Sequence, residues 1–352
     1  MMQILYFPYL QLNNTDEFII GDVKIWKFDV KSETYIKDFK LRRKVKRLLD
    51  TNTFAGKPIK DIPIISIGKI DFRIFSQEET EKIEDARLIL FIAILSINNI
   101  LDHSPNQGHY MFTSENFKII NQNFELENDT ITTNEGLLVK KIDFGNKISE
   151  IKFPYPLYTP RPYIFKFDDY FIKQMFLLKK NDNNLYKKVL SAIEMFYESY
   201  YNTPDLSLNA RILLGAGAFE MLLSNPNDNS QFRKIFKEKI KEMLCIENEK
   251  IISFISERPN NSKEKEQGSI KIMWGDRFFT LRNHIIHGNN IKDEDFKFKN
   301  IQWHFHIIPI FFIAFIHQLI NKNRGKVIFK SKIEWIDTNN KEKGGFKFED
   351  KT

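Results

Sequence analysis

A cluster of prolines near the middle of the 352-residue chain most constrains how the chain can fold. Four of them fall within nine residues: Pro154, Pro156, Pro160 and Pro162. Proline fixes the backbone angle φ and removes an amide donor, so neither a helix nor a central strand can run through such a segment. The cluster predicts an extended linker over residues 157–164. It would separate a domain of residues 1–156 from one of residues 165–324, with residues 325–352 forming a short strand and a polar tail.

The sequence before the prolines predicts an α+β domain. Alternating apolar and polar residues in Phe18–Phe28 and Leu137–Phe144 are typical of strands. Ser76 and Glu79 form a capping-box pattern, in which each side chain bonds a backbone amide of the other at a helix start. The predicted helix runs on through the apolar segment Leu88–Leu95. No motif in this domain indicates a reaction.

The sequence after the prolines predicts an all-α domain. Apolar residues recur there at helical spacing, and Asn-, Pro- and Gly-rich breaks separate the periodic segments. The predicted helices are Asp168–Lys180, Leu185–Tyr201, Ser207–Leu223, Gln231–Leu244, Met273–His287 and Gln302–Lys322.

Composition narrows the classes of partner and compartment. The chain has 53 Lys and Arg against 46 Asp and Glu, and the resulting net charge of +7 favours a polyanionic partner, most often a nucleic acid. The single cysteine, Cys245, excludes an internal disulfide and a zinc site of several thiolates. That cysteine usage predicts a cytoplasmic protein.

Membrane insertion is not expected. The two most apolar stretches, Leu88–Leu95 and Ile307–Ile316, fall short of the roughly 20 residues that span a bilayer. We therefore expect both to be buried helices. The N-terminus also lacks the basic start and long apolar run of a signal peptide.

The segment from Phe278 to Gly288 is the most specific part of the sequence. On a helix, the core stripe would consist of Trp274, Phe278, Leu281 and Ile285. Asn283 and His287, four residues apart, are neighbours on nearly the opposite side. Gly288 can end the helix in a left-handed conformation and so leave His287 at its terminus.

Two apolar residues flank this polar pair. Phe279 and Ile286 also lie off the predicted core stripe, which a purely solvated helix face would not favour. A second copy of the helix packing on this side would bury both. The pattern predicts a homodimer through residues 273–287, and a solvated surface helix is the simpler alternative.

The run from Arg282 to His287 resembles the R-x4–6-H motif of the HEPN superfamily, including the polar residue that follows the arginine. The helix Ala210–Leu223, with its small residues and Glu220, resembles the corresponding helix of the Apea-like branch. The resemblance covers Asp168–Lys322, less than half of the chain.

This resemblance implies a metal-independent endoribonuclease of a toxin or antiviral defence system. Its fold would be a bundle of four or five helices, two copies would form a composite site, and no cofactor would be required. RNA supplies its own nucleophile, the 2′-hydroxyl. His287 would then act as general acid or base, Arg282 would bind the phosphate, and Asn283 would orient the phosphate or the imidazole. The product would be a 2′,3′-cyclic phosphate.

Two further residues are assigned supporting roles. Glu220 lies in an otherwise apolar helix, where a carboxylate is costly unless it is paired, and Arg282 and Arg211 are its candidate partners. Solvation of its carboxylate is the alternative. His284 is expected to be structural or to support the site.

The densest basic cluster is a weaker candidate for RNA contact. It lies in the first domain and consists of Lys40, Arg42, Arg43, Lys44, Lys46 and Arg47. Such a cluster can bind a phosphate backbone, although charge runs more often form solvated faces. The first domain as a whole is expected to bind a trigger ligand or an antitoxin, an inference from architecture alone.

Two other functions remain open at this point. One is a HEPN-like module without catalytic activity, which binds or dimerises under the control of a partner. The other is a metal-dependent nuclease in the first domain, although no carboxylate cluster of suitable spacing supports it.

Overall fold

In a computed structural model, the chain divides into a unit built around a sheet and a unit built mainly from helices. The structure describes residues 2–12, 17–29, 31, 36–54, 57–68, 72–97, 114–126, 130–133, 139–141, 163–200, 206–224, 232–245, 249–257, 262–298 and 302–321. Among these, the first unit takes in the residues up to 176 together with Tyr200 and Leu206. The second takes in residues 177–199 and 207–321.

The first unit is built from strands and two helices. The strands are β1 (Met2–Tyr6), β2 (Leu10–Leu12), β3 (Glu17–Ile20), β4 (Val23–Lys27), β5 (Thr53–Phe54), β6 (Lys57–Pro58), β7 (Pro63–Ile67), β8 (Ile120–Phe124), β9 (Thr130–Thr133), β10 (Val139–Lys141) and β11 (Tyr163–Phe165). The helices are α1 (Phe39–Asp50) and α2 (Gln77–Ile97), with a 3-10 turn at Ser114–Phe117. A third helix, α3 (Asp169–Asn181), begins in this unit and ends in the second.

Seven of these strands form one antiparallel sheet in the order β10-β9-β8-β1-β7-β4-β3. One face buries Ile4, Tyr6 and Trp26 against Val45 and Leu48 of α1. Residues of the opposite face, among them Leu5, Ile25 and Ile65, are buried as well. The mixed α+β class predicted for this unit is confirmed.

The predicted helix start at Ser76 is also confirmed. The Glu79 amide donates to Ser76 Oγ at 3.3 Å, and the Ser76 amide donates to Glu79 Oε2 at 2.9 Å. Both apolar stretches are buried in helices, Leu88–Leu95 in α2 and Ile307–Ile316 in α8 (His304–Ile320). Within the described ranges, no helix is both long enough and apolar enough to cross a membrane.

The second unit begins later than the predicted boundary of residue 165. Residues 163–176 belong to the first unit, because β11 pairs in parallel with β2 and the Asp168 amide donates to the Ala93 carbonyl at 3.1 Å. The proline cluster lies outside the described residues, and so does the predicted 157–164 linker except for its last two residues. So does the predicted strand and tail of residues 325–352.

The helices of the second unit agree closely with the predicted ones. They are α4 (Asn183–Ser199), α5 (Leu208–Leu223), α6 (Phe232–Lys239), α7 (Ile270–Ile286) and α8, with a π turn at Ile240–Leu244 after α6. The ring of Phe219 lies at the centre, 4.9 Å from that of Phe236 and 5.6 Å from that of Phe312. Trp274, Phe278 and Leu281 of the predicted stripe are buried, and Ile285 is half-buried.

The all-α prediction for this unit is wrong, because the unit contains strands. A hairpin of β12 (Ile252–Glu257) and β13 (Lys263–Gly268) precedes α7, and β14 (Lys297–Phe298) and β15 (Gln302–Trp303) form a short pair before α8. Phe254 and Ser256 are buried, whereas Ser253 and Ile255 are exposed. This alternation is a strand signal. Residues 258–261 are rich in turn residues, so the sequence alone predicts a break between helices here.

Candidate active site

The last turn of α7 places the predicted catalytic residues, and its ending is as the sequence predicts. Gly288 has φ +67° and its amide donates to the Ile285 carbonyl, while the Asn289 amide donates to the His284 carbonyl at 3.0 Å. These two bonds define a Schellman motif. His287 is the residue that ends the helix, and its side chain is exposed.

Glu220 pairs with Arg282, one of its two predicted partners. Arg282 Nη2 lies 2.7 Å from Glu220 Oε1, and Nη1 donates to Asn283 Oδ1 at 3.1 Å. The alternative partner, Arg211, instead donates to the Ser199 carbonyl at 3.3 Å. An ion pair thus links α7 to α5, through Arg282 of the R-x4–6-H motif and Glu220 of the helix that resembles the Apea-like branch.

The pair is half-buried, and this affects the carboxylate. Burial raises the pKa of Glu220 above its usual range, while the charge of Arg282 acts in the opposite direction. The side chains are 28% exposed for Arg282 and 30% for Glu220. The guanidinium is therefore held in place, yet part of it remains accessible to a ligand.

The structure does not bring every predicted residue into this group. His284 Nε2 faces Glu257 Oε2 of β12 at 3.7 Å. The His287 side chain forms no hydrogen bond or ion pair with any residue in the described part of the chain. Arg282 and His287 lie about 140° apart around an ideal helix. One chain therefore gathers Arg282, Asn283 and Glu220, with His287 separate.

The interpretation of Phe279 as an exposed interface residue is wrong. Its side chain is 1% exposed, and its ring lies 4.7 Å from that of Phe236 and 5.1 Å from that of Phe232. Helical periodicity predicts a single core face for α7, whereas α6 covers a second face of this helix. Ile286, 51% exposed, is the remaining apolar residue beside His287.

Two members of the basic cluster are unsuited to RNA contact. Arg42 is 5% and Lys44 is 7% exposed, because α1 carries both on its inward side. Arg42 Nη1 donates to the Ile36 carbonyl at 2.6 Å and to the Lys37 carbonyl at 3.0 Å. Their assignment as RNA contacts is corrected. The four remaining members are exposed, and they are Lys40, Arg43, Lys46 and Arg47.

A buried ionic network that sequence reasoning missed holds α7 in place. Asp276 Oδ1 accepts from Arg233 Nη2 at 2.7 Å, from Lys237 Nζ at 3.1 Å and from Ser256 Oγ at 3.1 Å. These donors lie on α6 and β12, so one carboxylate joins three elements. Its signal is an aspartate in an apolar helix, the same kind of signal that pointed to Glu220.

Within the described ranges, no group of three or more His, Cys, Asp or Glu side chains is arranged to hold a metal ion.

Comparison with known proteins adds no relative. No family model matches the chain, and comparisons with curated proteins and with solved structures find no match.

Proposed function

We propose that the second unit is a metal-independent endoribonuclease of the HEPN type, acting in a toxin or defence system. The observation that carries the proposal is the half-buried Arg282, fixed by Glu220 next to Asn283 on the helix that ends at exposed His287. A fixed guanidinium is suited to the charge that gathers on a phosphate in the transition state.

The proposed reaction needs only proton transfer and charge stabilisation. The 2′-oxygen attacks the adjacent phosphorus and loses its proton to a general base, and the bond to the 5′-oxygen breaks. That oxygen takes up a proton from a general acid. The products are a 2′,3′-cyclic phosphate and a 5′-hydroxyl. The imidazole of His287 can accept or donate a proton and so can serve in either step.

Two copies of the chain would bring together Arg282 and His287, which a single chain keeps apart. Arg282 and His287 point about 140° apart on α7, which prevents one pair from converging on one phosphate. A twofold axis next to Ile286 would bring the two α7 ends together. His287 of one copy would then face Arg282 of the other. Buried Phe279 takes no part in this interface.

A second function has a specific observation in its favour. The charge of Arg282 is already engaged by Glu220 at 2.7 Å. Such an arrangement also suits a module whose arginine only stabilises the fold, and which binds or dimerises without catalysis.

The test is cleavage of single-stranded RNA by purified protein in EDTA. Arg282→Ala and His287→Ala are expected to lower the rate by about 10²–10⁴. Because His287 is exposed and lies outside the core, its replacement should change the free energy of unfolding by no more than about 0.5 kcal/mol. Arg282→Ala leaves the half-buried Glu220 unpaired and should cost about 1–3 kcal/mol. Lys241→Ala, an exposed cation on the π turn, is the matched control. Wild-type cleavage by His287→Ala would refute the proposal, and loss of activity in EDTA that a divalent metal restores would refute the mechanism.

A further inference from the structure

A large cavity in the second unit lies beside α7 and has no role in the proposed site so far. Its volume is about 710 Å³, within the range of about 300–1,000 Å³ typical of small-molecule sites. Arg277, Thr280, Leu281 and His284 line one side of it. These residues recur at spacings of three and four and so share a face of the helix.

This face leads towards His287. His287 follows His284 by three residues, so the two are neighbours along α7. Arg282 and its partner Glu220 lie on a different side and do not line the cavity. A ligand in the cavity would thus lie next to the histidine of the proposed site.

The charged groups of the cavity include unpaired ones of both signs. The lining holds three cations, Lys250, Arg277 and Lys297, and three carboxylates, Glu257, Glu294 and Asp295. Within the described ranges, the exposed side chains of Arg277, Lys250, Glu294 and Asp295 have no salt-bridge partner, and only Asp295 among these four accepts a hydrogen bond, from the Lys292 amide at 2.8 Å. The unpaired cations Arg277 and Lys250 suit an anionic group at one end of a ligand, and the Glu294 carboxylate suits hydrogen-bond donors at the other end. A nucleotide has this chemistry, since its phosphate is anionic and its base edge carries N–H donors.

The inner wall offers groups suited to a base. Phe298 and His304, 8% and 2% exposed, line the cavity with ring centroids 6.1 Å apart. Unstacked bases of RNA bind by stacking on such rings and by hydrogen bonds along their edges. The Nδ1 atom of His304 is buried without a hydrogen-bond partner in the described part of the chain. A polar atom in that state is normally satisfied by a ligand or water.

We propose that this cavity binds one nucleotide of the RNA substrate, adjacent to the scissile phosphate. Arg277 and Lys250 bind a phosphate, and Glu294 accepts hydrogen bonds from the base. A carboxylate accepts two parallel bonds from the N1–H and amino group of guanine, whereas uracil offers one N–H. The site therefore favours guanosine. The inference rests on the proposed function only for the position of the nucleotide relative to cleavage.

The binding test uses the full chain and mononucleotides. Calorimetric titration with GMP should give saturable binding, with IMP and UMP at least tenfold weaker because they lack the amino group. Arg277→Ala should weaken GMP binding about tenfold, and Glu294→Gln should remove the preference for GMP over IMP. Lys241→Ala should bind as the wild type does. Absence of GMP binding, or a wild-type affinity in Arg277→Ala, would overturn the proposal.

A second measurement, inhibition of RNA cleavage by GMP, distinguishes an RNA substrate from a free nucleotide as the ligand of the cavity. It also separates the cavity proposal from the proposed function. GMP should inhibit RNA cleavage competitively, and cleavage should occur preferentially beside guanosine. Inhibition that is not competitive would mean a free-nucleotide effector site and would overturn the assignment to substrate. GMP binding by a chain that cleaves no RNA would refute the proposed function and leave the cavity assignment standing. RNA cleavage that GMP does not affect would overturn the cavity assignment and leave the proposed function standing.

Discussion

Replacing Asp276 by Asn tests whether the buried ionic network determines the stability of the second unit. The side chain of Asp276 is 1% exposed and that of Arg233 is 12% exposed. Asparagine keeps the shape of the carboxylate but removes its charge, so Arg233 would be left as a buried cation, whereas Lys237 keeps its ion pair with Glu266 at 2.8 Å. Breaking such a pair costs about 3–5 kcal/mol, because the remaining charge is not solvated. A unit of this size loses about 2–4 °C in melting temperature per kcal/mol, which predicts a fall of about 6–20 °C.

Differential scanning calorimetry measures this change, with Asp293→Asn as the matched control. Asp293 is exposed, so its replacement should leave the melting temperature nearly unchanged. The double change Arg233→Met with Asp276→Leu should recover much of the loss, since well-packed apolar residues can replace a buried ion pair. A loss below about 1 kcal/mol in Asp276→Asn would refute the argument that the network holds α7.

The remaining predictions concern single residues of the second unit. Burial and the charge of Arg277 lower the pKa of His304 to about 3. Near pH 6.5, His304 then takes up a proton only in the unfolded chain. Stability is therefore complete above pH 6.5 and lost as pH falls towards 3, by about 2 kcal/mol at pH 5. His304→Gln should remove this slope in urea titrations. Phe279→Asp should unfold the unit, seen by circular dichroism, and a folded monomer would contradict its burial. Gly288→Ala should cost about 1–2 kcal/mol in thermal melts, because φ is +67°.

The sequence predicts local features of the site well. Helix ends depend on neighbouring residues, so the cap at Gly288 and the exposed position of His287 follow from the pattern alone. The pairing of Glu220 follows from the cost of a lone carboxylate in an apolar helix, which limited its partner to two arginines. The cap depends only on residues within a few turns of the helix. The pairing of Glu220 depends only on the cost of burying an unpaired carboxylate.

The features that the sequence does not predict depend on distant partners. Phe279 is buried because α6 packs on α7, and periodicity within α7 carries no information about that second neighbour. Asp276 bonds Arg233 and Ser256, which lie 43 and 20 residues away. The hairpin before α7 is short and charged on β13, so its strands carry a weak apolar signal. In each case a tertiary contact decides what the local pattern leaves open.

The two halves of the proposed site differ in how firmly the chain holds them. Arg282 is fixed by Glu220 of α5, and α7 itself is anchored by the Asp276 network and by aromatic packing around Phe219. His287 follows the last helical turn and gains no such support within the described ranges. Catalysis by an acid or base requires a defined position relative to the reacting proton. If His287 acts as proposed, its ordering would come from outside its own helix, either from a second copy at Ile286 or from RNA in the proposed nucleotide cavity. Dimerisation and substrate binding would then act on the same residue, and activity would depend on both.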